Sequence, residues 1–259
     1  MTKKAYAKVN IFLKISGKRG NYHEFISRFM RVENLYDELS FFPKSSAEFT
    51  LDGDFNCEIS QNTIYKAYLA LLKHTSSKVL EEFMQKNGLK VVKNIPSFAG
   101  LGGGSSDAAT FLHMCNESLK LNLTLDELAK IGLSVGADVP FFIYNFKSAN
   151  VSGIGDVVEE FNEEPISIET ITPQIEISTP AVYKEYRENF YSPISQEVKD
   201  KFQNMSSLHV VQNYGIEEAN DLFLPAKKLY PQLNKYVKGG WFFSGSGSSF
   251  FRLSEVSHG

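Results

Sequence analysis

The sequence predicts an α+β protein with two domains, and three observations support this prediction. Residues 5–15 alternate between apolar and more polar side chains, which is the period of a half-buried strand. From Asn62 the apolar residues recur at helical spacing, and from about residue 148 strand patterns return. Because helices and strands do not alternate as βαβ units, the α+β class is favoured. We expect an N-terminal domain at residues 1–150 and a C-terminal domain at residues 151–259.

The N-terminal elements follow in order from these patterns. In the first strand, Lys8 and Asn10 lie side by side on the less apolar face. After the turn GKRGNYH, the runs FISRFMRV, DELSFF and AEFTL predict further strands of an antiparallel sheet. Helices are predicted at NTIYKAYLALLKHT and KVLEEFMQKN, followed by the short strand LKVVKNI and a helix that begins at Ser105.

Thr124 and Glu127 predict a capping box for the next helix, and GADVPFFIY predicts a turn with Asp138 just before Pro140. In the C-terminal part, SANVSGIG, DVVEEF and ISIETITP read as strands. Thr179-Pro180 is typical of an N-cap with proline in the first helical turn. The remaining predicted elements are helices near 181–189, 195–205, 215–223 and 225–237, and a glycine/serine loop between two short strands in GGWFFSGSGSSFFRL.

The composition favours a soluble cytoplasmic enzyme. The chain has 259 residues, 42% hydrophobic and 22% charged, which is close to a soluble globular average. Its net charge is -3 and its cations are not clustered into a stripe, so we expect no nucleic-acid partner. The apolar run at the N-terminus is interrupted by Lys8, Asn10 and Lys14, which excludes a signal peptide or membrane span there. No feature indicates an oligomeric state.

The two cysteines, Cys57 and Cys115, have no CxxC partner. A metal knuckle or a disulfide framework is therefore disfavoured. We expect both to be reduced thiols, with Cys115 on the inner face of a helix.

The stretch IPSFAGLGGGSSDAA, residues 95–109, joins a predicted strand to a predicted helix. A helix N-terminus carries unpaired backbone N–H groups and partial positive charge, and glycines let a phosphate approach those groups. The Ser105 and Ser106 hydroxyls can cap the helix, bind a phosphate oxygen or hold a magnesium ion. A serine-capped flexible turn is the alternative.

Three familiar loop patterns do not fit this stretch. No lysine follows Gly104, as the Walker A pattern requires. The dinucleotide fingerprint fits partly, with Gly100 and Gly102, but Ser105 stands at the third glycine and a helix is predicted where a second strand belongs. A dinucleotide-dependent reductase is thereby disfavoured, and no G-x-S-x-G elbow occurs.

The loop resembles the second signature of the kinase superfamily named for galactose, homoserine, mevalonate and phosphomevalonate (GHMP). AYAKVNIFLKI, residues 5–15, resembles the first signature, and SGSGSSFF, residues 244–251, resembles the third. Within the superfamily, the chain is most similar to the 4-diphosphocytidyl-2-C-methyl-D-erythritol kinase family of the non-mevalonate isoprenoid pathway. The A-K-V-N strand, Tyr22-His23-Glu24, GLGGGSSDAA and GADVPFF carry that narrower resemblance.

The resemblance implies transfer of the ATP γ-phosphate to the 2-hydroxyl of the methylerythritol portion. It also implies an N-terminal domain of ribosomal-S5 type, a ferredoxin-like C-terminal domain, and an active site in the cleft between them. Asp138 is the implied catalytic base, with Lys8 beside it to keep the carboxylate ionised and orient the hydroxyl. A helix N-cap is the alternative role for Asp138.

The implied ATP-binding residues are Pro96, Gly100, Gly102, Gly103, Gly104, Ser105, Ser106 and Asn62, the last of which could instead be an N-cap. The implied substrate-binding residues are Asn10, Tyr22, His23, Tyr183, Gly245 and Gly247. In this scheme the aromatic rings of Tyr22 and Tyr183 stack on the cytosine and His23 hydrogen-bonds its edge. Mg²⁺ is implied by phosphoryl transfer, but no dense carboxylate cluster identifies its ligands.

Two rival functions stay open on the sequence. A superfamily kinase for another alcohol, such as homoserine or mevalonate, is disfavoured by Tyr22-His23. A catalytically silent nucleotide-binding protein is disfavoured by Lys8 and Asp138. Three departures from the family pattern also stand out. Phe98 stands where a small residue, usually glycine, is expected, and the turn before Tyr22 reads Arg-Gly-Asn rather than the more usual Asp-Gly. The chain also ends soon after the third signature, where we expect a reduced C-terminal domain.

Overall fold

The structure is a computed structural model that describes residues 2–20 and 22–254. These residues form two compact units, each assembled from several chain segments. The first unit contains residues 2–7, 33–97 and 102–146, and the second contains the remaining described residues. Two long strands, β1 (Thr2–Arg19) and β2 (Tyr22–Pro43), contribute residues to both units. The division into residues 1–150 and 151–259 stays a prediction.

The first unit packs helices on part of a mixed sheet. Its further elements are β3 (Leu51–Asp52), α1 (Thr63–Thr75), α2 (Lys78–Lys86), β4 (Asn87–Val92), α3 (Gly103–Leu119), α4 (Leu125–Leu133) and α5 (Val139–Tyr144). β4 pairs antiparallel with the end of β2 and parallel with β3. Apolar side chains from these helices and strands form the core, in which Leu71, Leu89, Phe111 and Cys115 are fully buried.

The second unit also combines sheets and helices. Its further elements are β5 (Ser148–Gly153), β6 (Val157–Glu160), β7 (Ile168–Ile171), α6 (Thr179–Glu185), α7 (Gln196–Asn204), α8 (Ser207–Asn213), α9 (Ile216–Ala219), α10 (Phe223–Leu229), β8 (Phe242–Phe243) and β9 (Phe250–Leu253). The start of β2 pairs with β5, which pairs with β6, all antiparallel. A second sheet has the order β7-β9-β8, also antiparallel.

The predicted α+β class is confirmed, as are the first strand and the capping box at Thr124 and Glu127. Cys57 and Cys115 are free thiols, and Cys115 is buried as predicted. None of the described helices is long and apolar enough to cross a membrane.

Several local predictions were wrong. The runs FISRFMRV and DELSFF belong to one strand, β2, and of AEFTL only Leu51 lies in a strand, β3. The segment GADVPFFIY contains helix α5 rather than a turn alone, because Pro140 fits a first helical turn, where its missing N–H costs nothing. The N-cap of α6 is Ser178, not Thr179, and its hydroxyl accepts from Ala181 N. Helix α8 was not predicted, and the helix predicted at 225–237 ends at Leu229, with a 3₁₀ turn after it.

Candidate active site

The glycine loop leads directly into helix α3 of the first unit. Gly102 is the N-cap with a positive φ of 71°, a left-handed conformation that glycine adopts without strain. The helix begins at Gly103, two residues earlier than predicted. A Cβ on Gly103 would lie only 2.9 Å from Ile95 Cγ2, so this position admits no side chain unless Ile95 moves. The first turn of α3 therefore presents backbone N–H groups with little side-chain cover until Ser105.

The start of α1 packs against the same helical turn. Thr63 Oγ1 donates a 2.6 Å hydrogen bond to the Gly104 carbonyl. Asn62 is buried, and its Oδ1 accepts from Ile64 N at 2.9 Å, so it is the N-cap of α1. The structural role of Asn62 is thus accounted for, and its proximity to adenine stays a prediction. Pro96 is exposed at the entrance to the loop.

Asp138 lies at the N-cap position of α5, but its side chain makes no capping hydrogen bond there. The carboxylate is half-buried. Two residues earlier, the position of a Cβ on Gly136 is 3.7 Å from Ser105 Oγ. The first unit therefore brings the Ser105 hydroxyl close to the turn that carries Asp138.

A buried ionic cluster in the first unit was missed from the sequence. Lys93 Nζ donates to Asp107 Oδ2 at 2.7 Å and also pairs with Asp37. Asp37 Oδ1 in turn accepts from Asn94 N at 2.6 Å and Ile95 N at 2.8 Å. Burial raises the pKa of Asp107 to about 7, although the Lys93 charge opposes that shift. The cluster ties the chain before the glycine loop to α3, and only Asp107 stood in a recognised motif.

In the second unit, Lys8 and Asn10 form one buried group on β1. Lys8 Nζ donates to Asn10 Oδ1 at 2.7 Å and to the Gly100 carbonyl at 3.3 Å. The ammonium also lies 4.4 Å from the centroid of the Phe29 ring. Lys8 and Asn10 are 3% and 2% exposed, so the face predicted to be the more polar one is enclosed. Lys8 is therefore not an ordinary solvent-facing lysine.

The third signature packs against the glycine loop within the second unit. Ser249 N donates to the Ala99 carbonyl at 3.0 Å. A Cβ on Gly100 would lie 2.3 Å from the Ser244 carbonyl oxygen, and one on Gly245 would lie 3.3 Å from Asn10 Oδ1. These close approaches explain why glycines occupy both loops. Gly247 lies in the same segment, with a positive φ of 93°.

Phe98 has a backbone conformation that is unusual for a residue with a side chain. Its φ is +54°, a left-handed value that a bulky residue rarely adopts, and its side chain is 72% exposed. Glycine adopts a left-handed φ without strain, which gives a physical reason for the expectation of glycine at this position.

Aromatic rings gather around His23 in the second unit. The His23 and Tyr183 rings stack with centroids 5.4 Å apart and planes inclined by 27°. Tyr186 and Tyr191 lie at 5.7 and 6.2 Å from the same imidazole. Tyr22 is 67% exposed. The structure thus brings His23 and Tyr183 together and adds two tyrosines that the sequence motifs did not indicate.

The surroundings of His23 favour the neutral form of its imidazole. Burial lowers the His23 pKa, and the charges of Arg187 and Lys18 lower it further. Its Nε2 atom is buried and has no hydrogen-bond partner among the residues that the structure describes. A buried polar atom without a partner is costly, so a ligand that offers one is favoured here.

Comparison with known proteins identifies the family. Residues 62–146 match the model of the GHMP kinases N terminal domain. A 4-diphosphocytidyl-2-C-methyl-D-erythritol kinase of Sulfurimonas denitrificans is 63% identical over 256 residues, which span 97% of this chain and 96% of that protein. The crystal structure of a 4-(cytidine 5'-diphospho)-2C-methyl-D-erythritol kinase superposes with a TM-score of 0.74 at 28% identity, covering 98% of this chain and 90% of that one.

A crystal structure of mevalonate kinase superposes with a TM-score of 0.62 at 14% identity, covering 98% of this chain and 91% of that one. That likeness shows the fold alone. The predicted two-domain GHMP-kinase fold is confirmed by these matches. By its identity to the curated relatives over nearly its whole length, the chain belongs to the 4-diphosphocytidyl-2-C-methyl-D-erythritol kinase family.

Proposed function

We propose that the chain is an ATP-dependent kinase that phosphorylates the 2-hydroxyl of 4-diphosphocytidyl-2-C-methyl-D-erythritol in the non-mevalonate isoprenoid pathway. The observation that supports this substrate is the stack of His23 on Tyr183, in which the buried His23 Nε2 atom has no hydrogen-bond partner among the described residues. A cytosine offers a flat ring for stacking and an edge with both donors and acceptors. The Nε2 atom of His23 supplies a hydrogen-bonding group for such an edge.

The helix α3 supplies the proposed ATP-phosphate site. Gly102, Gly103 and Gly104 expose backbone N–H groups at the positive end of a 17-residue helix, which favours an anion. The Ser105 and Ser106 hydroxyls complete the family motif, and Pro96, Gly100 and Asn62 are retained as proposed ATP contacts.

Asp138 and Lys8 are the proposed catalytic pair. Asp138 accepts the proton of the attacking hydroxyl and orients that group, which is the main task of protein groups in phosphoryl transfer. Its side chain is not used as a helix cap, which supports this role over the structural one. Lys8 supplies positive charge that orients the attacking hydroxyl and stabilises the charge that develops on the reacting oxygen. Asn10, Tyr22, Gly245 and Gly247 complete the proposed substrate site.

Magnesium is the metal that we propose accompanies ATP. Among residues 2–20 and 22–254, no group of three or more His, Cys, Asp or Glu could hold a metal ion. Mg²⁺ commonly takes few protein oxygens and binds substrate phosphates and water instead. The Ser105 hydroxyl, which is half-buried in the first turn of α3, is the protein oxygen that we propose as a magnesium ligand. When bound, the ion neutralises charge on the transferred group.

We further propose a cytoplasmic enzyme whose partner is a small molecule carrying cytidine diphosphate, with neither nucleic acid nor membrane bound. The net charge of -3 supports this proposal, because a nucleic-acid site would need clustered cations.

The test is ATP consumption with Mg²⁺ in the presence of the cytidylylated methylerythritol, homoserine or mevalonate. We expect turnover only with the cytidyl substrate and loss of turnover in Asp138→Asn. Asp126→Asn is the matched control, since Asp126 is an exposed carboxylate of the first unit bonded to Tyr144. Turnover with another alcohol would reject the cytidyl substrate. ATP binding without any turnover would favour a silent nucleotide-binding protein.

A further inference from the structure

The Lys8 ammonium is buried, so its orientation depends on the groups that accept its hydrogen bonds. Two acceptors are its near neighbours: Asn10 Oδ1 at 2.7 Å and the Gly100 carbonyl at 3.3 Å. A buried charge is stable only where such acceptors are held in place. The positions of these two oxygens therefore govern where the ammonium can act.

Ser27 determines the orientation of the Asn10 amide. The Ser27 hydroxyl donates its one proton to the Phe12 carbonyl, so towards Asn10 it can only accept. Asn10 Nδ2 fills that role, donating to Ser27 Oγ at 2.9 Å. The amide oxygen must then point away from Ser27 and towards Lys8. An inverted amide would place an NH₂ group against the ammonium, donor against donor.

Ser244 holds the second acceptor in the same manner. Its hydroxyl donates to the Gly100 carbonyl at 2.9 Å and accepts from Asn10 N at 3.3 Å. Ser27 and Ser244 are 1% and 0% exposed, so both bonds are shielded from competing water. The two serines lie 217 residues apart in the chain, and each is bonded to an acceptor of the same lysine.

We propose that Ser27 and Ser244 are positioning residues that hold the Lys8 ammonium in its reactive orientation, Ser27 through the Asn10 amide and Ser244 through the Gly100 carbonyl. This inference rests on the proposed catalytic role of Lys8. It assigns a role to Ser244, the first serine of the SGSGSSFF signature, whereas the sequence motif assigned roles only to the glycines of that signature. It also gives the Asn10 side chain a task besides substrate contact.

The test compares steady-state kinetics of Ser27→Ala, Ser244→Ala and Ser27→Thr. In each alanine variant we expect kcat to fall about tenfold, the scale of one misplaced hydrogen bond to a charged group, with KM for ATP unchanged. Ser27→Thr keeps the hydroxyl and should restore kcat. Ser148→Ala is the matched control, because Ser148 is 1% exposed and donates to Glu163 rather than to this network. It should lower the melting temperature and leave kcat intact.

A double-mutant cycle and a spectrum separate positioning from loss of packing. If Ser27 acts through Asn10, adding Ser27→Ala to Asn10→Ala should lower kcat no further. In ¹⁵N-resolved NMR spectra, the Asn10 side-chain amide should exchange slowly with solvent in the wild type and rapidly in Ser27→Ala.

Wild-type kcat in Ser27→Ala, or additive losses in the cycle, would overturn the inference about Ser27. Wild-type kcat in Ser244→Ala would overturn the part concerning Ser244. Wild-type kcat in Lys8→Met is a separate result that would reject the proposed role of Lys8 and, with it, a catalytic purpose for the serines.

Discussion

Arg28 and Glu163 form a buried ion pair in the second unit, with Nη1 and Oε1 3.3 Å apart and side chains 0% and 9% exposed. The guanidinium carbon lies 3.2 Å from the centroid of the Phe161 ring. Burial lowers the pKa of Arg28 to about 10, which still leaves it charged at neutral pH. Glu163 also accepts from Ser207 N at 2.8 Å and Ser148 Oγ at 2.6 Å, so one carboxylate joins β5, α8 and β2.

Removal of Glu163 should therefore destabilise the protein strongly. In Glu163→Ala the buried Arg28 charge loses its counter-ion, and we expect the free energy of unfolding to fall by about 3–5 kcal/mol. Urea denaturation measures the change. Glu169→Ala is the control, because the Glu169–Arg252 pair is 45% and 31% exposed and should contribute little. Equal losses in the two variants would contradict the importance assigned to burial.

The raised pKa of Asp107 predicts a pH-dependent contribution to stability. Its folded pKa of about 7 exceeds the unfolded value of 3.8, so between these pH values the folded state holds a proton that the unfolded state has released. The contribution is complete below pH 3.8 and is lost as pH rises through 7. Asp107→Asn should therefore gain stability relative to the wild type between pH 4 and 8, on the order of 1–3 kcal/mol.

Urea denaturation at a series of pH values measures this difference. Lys93→Met provides a second variant, because the Lys93 charge lowers the pKa of Asp107. Its removal should move the transition to higher pH. A stability difference between Asp107→Asn and the wild type that stays constant from pH 4 to 8 would show that Asp107 does not titrate in this range.

The left-handed backbone of Phe98 predicts that glycine is more stable there than alanine. Phe98→Ala keeps a Cβ at a φ of +54°, whereas Phe98→Gly removes the steric cost of about 1 kcal/mol. Since both variants lose the exposed ring, their difference isolates the backbone strain. Thermal unfolding measures it, and an alanine variant as stable as the glycine variant would argue against strain at this position.

The stack between His23 and Tyr183 predicts a selective effect on the cytidyl substrate. Tyr183→Ala should raise the KM for that substrate about tenfold, since stacking on a base is worth about 1–3 kcal/mol, and leave the KM for ATP unchanged. Tyr183→Phe keeps the ring and should resemble the wild type. Initial-rate kinetics with each substrate varied in turn provide the measurement. An equal rise in both KM values would point to a general disturbance of the second unit instead.

Local patterns predicted much of the fold. The alternation at residues 5–15 predicted β1, and the Thr124–Glu127 spacing predicted the capping box, because both signals reside in neighbouring residues. Errors arose where a local signal had two readings. Ser178 and Thr179 are both acceptable N-cap residues, and the structure uses Ser178. The Thr179 Oγ1 atom instead shares a 2.6 Å hydrogen bond with Ser246 Oγ.

The candidate site was less accessible to prediction from sequence. The motifs singled out Lys8, Asn10 and the two glycine loops, but not the hydrogen bonds that hold them. Ser27 and Ser244 reach Asn10 across 17 and 234 residues, and Lys93 reaches Asp37 across 56. Such pairs leave no periodicity in the chain, because they are created only when distant segments pack. The sequence therefore predicted which residues carry chemistry, and the structure showed which hydrogen bonds hold Lys8 and Asn10 in place.

Because the two cysteines differ in burial, their alkylation can report when the core of the first unit opens. Cys57 is exposed, whereas Cys115 lies in the core of the first unit, where burial raises its thiol pKa. Because the thiolate is the reactive form, an alkylating reagent modifies Cys57 in the native protein and reaches Cys115 only when that core opens. Once Cys57 has been blocked, the rate at which Cys115 is alkylated measures how often the unit that contains α3 opens. The measurement needs no substitution.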